Sequence, residues 1–129
     1  MIPKFRAYDS SSYTRMYQPD EVMVGNGDIW IIDEDSCDNE WIVNNDLHLM
    51  QSTGLLDNNG KEIFEGDILD YNGRKVIVKW HGSYACFIYE FVDELKNRTA
   101  EWQPLYLSYY KFEIIGNSLE NPELLEVTE

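Results

Sequence analysis

Short β-prone runs broken by Asn-Gly turns leave this chain little alternative to antiparallel sheet. Asn59-Gly60 stands between Leu55-Leu56 and Glu62-Ile63. A tight type I′ hairpin turn needs positive φ at both central positions, and Asn and Gly tolerate it best. A turn of that type is expected there. Asn72-Gly73 marks a second one, between Ile68-Leu69-Asp70-Tyr71 and Lys75-Val76-Ile77-Val78-Lys79-Trp80. In the latter run Val76, Val78 and Trp80 alternate and so share one face. His81-Gly82-Ser83 turns the chain again, and Tyr84 to Phe91 reads as the next strand. Strands of even spacing with Gly at the turns form a meander that suits a small barrel.

The flanking regions carry weaker versions of the same signals. Phe5–Asp9 and Tyr13–Tyr17 surround a Ser-rich turn and read as a hairpin. Val22-Met23-Val24, Ile29–Ile32, Trp41-Ile42-Val43 and Leu47–Gln51 are short strands joined by acidic turns. Asp33 to Glu40 reads as an exposed loop. Val92 to Arg98 reads as a loop or a single helical turn, and Phe112 to Gly116 as a final strand. Asn121-Pro122-Glu123 opens a short C-terminal helix, with Asn121 as N-cap and Pro122 at the first helical position. The expected organisation is a single domain over 1–129. It comprises an acidic β region (1–50), a barrel-like core (51–116) and a C-terminal segment (117–129).

The charge balance narrows the partners. The 129 residues carry 10 Lys and Arg against 24 Asp and Glu, a net charge of −14. No Lys or Arg occurs between Met16 and Gly60. Nucleic-acid affinity rests on cation–phosphate contacts, so direct binding is disfavoured. A hydrophobic fraction of 43% is too high for a disordered acidic chain. No apolar run approaches the roughly 20 residues that span a bilayer. The first residues show no secretory pattern, and the two cysteines, Cys37 and Cys86, form no metal-type spacing. A cytoplasmic protein with free thiols and no cofactor or metal is expected.

No constellation of catalytic residues emerges. Cys86 follows His81 closely, but its place among Tyr84 and Phe87 suggests a buried structural thiol. Glu65 and Asp67 flank Gly66 and read as turn architecture, with Asp67 bonding a nearby backbone N–H. Gly25-Asn26-Gly27 lacks the Lys and the following helix of a phosphate loop. The aromatic run is more suggestive. Tyr and Trp favour interfaces, and Trp102, Tyr106, Tyr109 and Tyr110 form the candidate contact surface.

Three segments carry a family resemblance. They are Phe5–Asp9 with Met16-Tyr17; Met50–Leu55 with Asp57–Ile68; and Glu113–Asn117 with Glu120–Leu125. Together they resemble the YopX family of phage and prophage proteins. The chain departs from the family pattern at Tyr8, Ser52 and Ser118-Leu119. The resemblance implies an SH3-like barrel with an added N-terminal region, a phage or prophage origin, a bacterial host and a tendency to self-associate. It supplies no catalytic residues. It marks Gly54, Gly60, Glu65, Gly66, Asp67, Gly116, Asn117, Asn121 and Pro122 as structural.

The leading expectation is an accessory protein acting by protein–protein contact and self-association, with a host or phage protein as partner. One alternative is an acidic mimic of nucleic acid that blocks a host DNA-binding protein. Another is a nucleic-acid-binding barrel that uses Arg74, Lys75 and Lys79.

Overall fold

The structure, a computed structural model, describes residues 4–11, 14–33, 37–38, 40–94 and 101–126. The expected strand start at Tyr13, half of the 33–40 loop and the end of the 92–98 segment lie outside these residues. The chain divides into two compact units, Met1–Ser52 and Thr53–Glu129. Both are built from antiparallel strands, and the described helical segments are single 3-10 turns.

In the first unit, β1 (Phe5–Asp9) pairs with β2 (Arg15–Tyr17), with Ala7 opposite Tyr17. On its other side β1 pairs with the start of β6 (His48–Leu56), with Phe5 opposite Gln51. A separate three-stranded sheet is ordered β3 (Val22–Gly25), β4 (Asp28–Ile32) and β5 (Trp41–Val43). Asn26 and Gly27 both take positive φ, at 53° and 80°, between the paired residues Gly25 and Asp28. The Gly25-Asn26-Gly27 run is therefore a hairpin turn of the I′ kind. Ala7, Ile31 and Leu47 form the buried core of this unit, with Tyr17, Val22, Ile29 and Leu49 against them.

The second unit holds a five-stranded antiparallel half-barrel. Its order is β11 (Trp102–Pro104), β10 (Cys86–Phe91), β9 (Arg74–His81), β8 (Asp67–Tyr71), β12 (Glu113–Asn117). The end of β6 and its neighbour β7 (Glu62–Phe64) belong to the same unit. Pairing aligns Phe91, Val76, Leu69 and Ile114 in one row across four strands. Strand alternation sends that row to one face. There Ile63, Leu69, Val76, Val78, Leu105 and Phe112 are buried together. Phe112 meets Tyr89 and Tyr71 edge-on, with ring centroids 4.9 and 5.4 Å apart. Edge-to-face pairs set the positive rim of one ring against the negative face of the other.

Several local expectations need correction. At Asn59-Gly60 only Gly60 has positive φ, at 80°. Gly60 N–H donates to Asp57 O at 3.1 Å and Asp57 N–H to Lys61 O at 2.7 Å. That pattern is a three-residue loop with a Gly bulge rather than a type I′ turn. Asp57 is the reason, because its Oδ1 takes the N–H groups of Asn59 and Lys61. Asn72 and Gly73 do adopt the type I′ turn, at φ 50° and 89°. The next turn spans Gly82 to Ala85, so Tyr84 leaves the strand and β10 begins at Cys86. Trp80 lies on the Val76 face beyond the end of the core. It is 47% exposed and packs on Phe87 at 5.0 Å.

The expected C-terminal helix is a four-residue 3-10 turn, Pro122–Leu125. Asn121 does not cap it through its side chain. Its Oδ1 instead accepts the N–H of Asn117, the last residue of β12. That backward bond removes the acceptor an α-helical N-terminus would use.

Candidate functional site

The buried polar residues of the second unit hold backbone in place. Asp67 takes Phe64 N–H on Oδ2 at 2.8 Å, closing the turn through Glu65 and Gly66, whose φ is 88°. Gly66 in turn accepts Ser118 N–H at 2.9 Å and donates to Val78 O at 2.9 Å. Asn117 is buried, and its Oδ1 accepts the N–H groups of Leu119 and Glu120 while its Nδ2 donates to Glu120. Gly116 lies against this knot. A Cβ there would stand 2.6 Å from Asn121 Oδ1. Gly54 has φ 76° within β6, and Pro122 opens the 3-10 turn that follows Asn121.

Sequence reasoning missed one member of this set. Asp57 is buried, and its Oδ2 receives Ile114 N–H at 3.0 Å in addition to the two bonds on Oδ1. Burial alone would raise its pKa. The N–H groups of Ile114, Lys61 and Asn59, helped by the Lys61 charge, outweigh that and hold it below the ordinary aspartate value. The signal was present in sequence, because an Asp opening a polar Asn-Asn-Gly loop is a natural Asx-turn residue.

The candidate contact residues divide into two environments. Trp102, on β11, is half-buried in an aromatic cluster. Its ring lies 4.7 Å from His81 and 5.1 Å from Tyr84, which are 4.9 Å from each other. His81 Nδ1 is buried there without a hydrogen-bond partner. Cys86 stands directly opposite His81 in the strand register and is half-buried, where a fully buried thiol is expected from its neighbours. The remaining residues occupy two successive 3-10 turns, Leu105–Leu107 and Tyr109–Lys111. Leu105 and Tyr109 turn inward to the core. Tyr106, Leu107 and Tyr110 project outward, at 58, 60 and 57% exposure. Tyr110 meets Tyr109 edge-on at 5.6 Å, and Lys111 lies over its ring at 5.7 Å.

Two basic residues of the barrel, Arg74 and Lys79, face carboxylates. Arg74 bonds Asp93 at 2.9 Å and lies over the Phe91 ring at 3.7 Å, and Lys79 bonds Glu90 at 3.0 Å. Among the described residues no group of three or more His, Cys, Asp or Glu is arranged to hold a metal ion. No described helix is long and apolar enough to cross a membrane.

The chain is similar to two solved structures over nearly its whole length. The crystal structure of protein EF1440 from Enterococcus faecalis is 30% identical, with a TM-score of 0.60 over 98% of this chain and 99% of that one. The X-ray structure of protein yopX from Bacillus subtilis is 19% identical, with a TM-score of 0.59 over 98% of each chain, and shows a shared fold. The curated proteins yield no match. The family profile described as YopX protein matches residues 4–126. By that match the chain belongs to the YopX protein family.

Proposed function

We propose that this chain is a phage- or prophage-encoded accessory protein that acts in the host cytoplasm through protein–protein contact and assembles with copies of itself. Its role is binding rather than catalysis, on an SH3-like barrel scaffold. The observation that carries the reading is the outward set of Tyr106, Leu107 and Tyr110 on turns anchored by Leu105 and Tyr109. Large apolar side chains held outward on an anchored frame lose little freedom on docking, which favours association. Asp57, Asp67 and Asn117 are buried and each engages a side-chain oxygen with backbone N–H groups, which suits a scaffold rather than acid–base chemistry.

Sedimentation velocity on the full chain tests self-association. The unaltered protein should sediment as an oligomer at micromolar concentration. The double variant Tyr106→Ser/Tyr110→Ser should shift to monomer while keeping its circular-dichroism spectrum. A monomer at all concentrations, or an oligomer indifferent to the substitutions, would refute the reading.

A further inference from the structure

A second surface, in the first unit, has the chemistry of a strand acceptor. The β3–β4–β5 sheet turns Ile29 and Ile31 to the core. By alternation its other face carries Met23, Trp30, Ile32, Trp41 and Val43. The register aligns Met23, Trp30 and Val43 in one row and Ile32 with Trp41 in another, so the apolar rows run out to β5. Met23, Trp41 and Val43 are all exposed, and so is every residue of β5.

β5 is an edge strand. Asn44 N–H donates to Ile29 O and Asp33 N–H to Glu40 O, which fixes the phase of the ladder. In an antiparallel pair the hydrogen-bonded residues alternate, so Ile42 faces β4 while Trp41 and Val43 aim their N–H and C=O groups outward. Outward backbone groups beside apolar side chains are a template for one more strand. Charge selects the occupant. No Lys or Arg lies between Met16 and Gly60, whereas the β4–β5 hairpin and its flanks carry Asp28, Asp33, Asp38, Glu40 and Asp46. A second copy joined here about a two-fold axis would set these carboxylates against themselves.

We infer that β5 accepts an extended segment of another protein, alternating apolar residues with Lys or Arg, as a fourth strand of this sheet. The surface belongs to the first unit and the Tyr106–Tyr110 turns to the second. Binding through it is independent of the self-association proposed above.

The probe is a blocked nonapeptide alternating Lys with Val or Thr, titrated into the full chain by tryptophan fluorescence. Saturable binding is expected, weakening severalfold between 50 and 500 mM salt as screening rises. Amide exchange at Trp41 and Val43 should slow. Val43→Pro removes one outward donor and no bond to β4, a substitution edge strands tolerate. It should weaken binding at least tenfold, whereas Val43→Thr should stay within twofold. If Val43→Pro disturbs the sheet, the peptide N-methylated on the edge facing β5 gives the same readout on the unaltered protein. Equal binding of the N-methylated peptide, or of a Glu-for-Lys peptide, would overturn the inference. So would an absence of binding, whether the protein stays monomeric or forms an oligomer that Val43→Pro dissociates. The Tyr106→Ser/Tyr110→Ser variant should bind the peptide unchanged, so the two proposals fail separately.

Discussion

Asp57 and Ile114 meet across 57 positions of sequence, the carboxylate of one accepting the backbone N–H of the other at 3.0 Å. The bond joins the bulged loop after β6 to β12. Asn58 N–H reinforces the junction by donating to Phe112 O at 2.8 Å. Replacing Asp57 with Ala strands the Ile114 N–H and opens the loop. Losing charge-assisted bonds at a buried site should reduce stability by about 2–3 kcal/mol. Urea unfolding monitored by tryptophan fluorescence measures the loss. A change inside experimental scatter would show that the junction carries no net energy.

The same carboxylate predicts an acid-sensitive limb. Its folded-state pKa lies below the ordinary aspartate value, because the backbone donors outweigh burial. A group depressed on folding contributes stability that is complete above its unfolded pKa of about 3.9 and lost as pH falls through the folded value. Urea midpoints from pH 7 down to pH 3 should therefore fall more steeply for the unaltered protein than for Asp57→Asn. Parallel curves would place the acid sensitivity elsewhere.

Gly116 is a steric requirement. A methyl group there would press within 2.6 Å of Asn121 Oδ1 and 2.8 Å of Leu124 Cδ1. Gly116→Ala should cost about 1–3 kcal/mol, the usual range for overpacking. It should also speed amide exchange at Leu124, whose N–H donates to Asn121 O. Gly82, with open space around its Cα, is the control. Gly82→Ala should stay within about 0.5 kcal/mol.

The Asn-Gly turns at 59–60 and 72–73 should respond differently to alanine. At 72–73 both residues have positive φ, and at 59–60 only Gly60 does. Gly60→Ala and Gly73→Ala should each cost about 1–2 kcal/mol, the strain of a left-handed alanine. Asn72→Ala should be measurably destabilising, whereas Asn59→Ala should be neutral to within about 0.5 kcal/mol. Four denaturation curves decide the matter. Equal losses at Asn59 and Asn72 would mean that both loops share one geometry.

The contrast between these turns shows what sequence could and could not reveal. The dipeptide marks where the chain reverses, because that depends on local backbone freedom. It does not give the turn type at Asn59-Gly60, because Asp57 recruits the Asn59 and Lys61 amides and the result depends on a side chain outside the dipeptide. Val76 and Val78 were legible as core by alternation. Trp80 continues their alternation yet emerges into solvent, because alternation sets direction and says nothing of where a core ends. Asp67 was readable as a backbone acceptor because its donor, Phe64, is three residues away. The bond from Ile114 to Asp57 was not, since only the completed sheet brings them together. Among the contact residues, Tyr106 and Tyr110 could not be told from Tyr109 by type. The 3-10 turns decide which ring faces the core.

The position of β12 at the rim of the half-barrel bears on how the protein is made. β8 waits for a partner that lies beyond residue 112, while β9 and β10 can already pair behind it. On the ribosome, the meander emerges with Asp57 lacking its distant donor and the β8 rim uncovered. Closing contacts of such long separation form slowly, and an open rim is a liability for as long as it lasts. Ribosomes stalled ahead of Glu113 would therefore leave a nascent product prone to aggregate, and the emergence of β12 is the step that covers the rim.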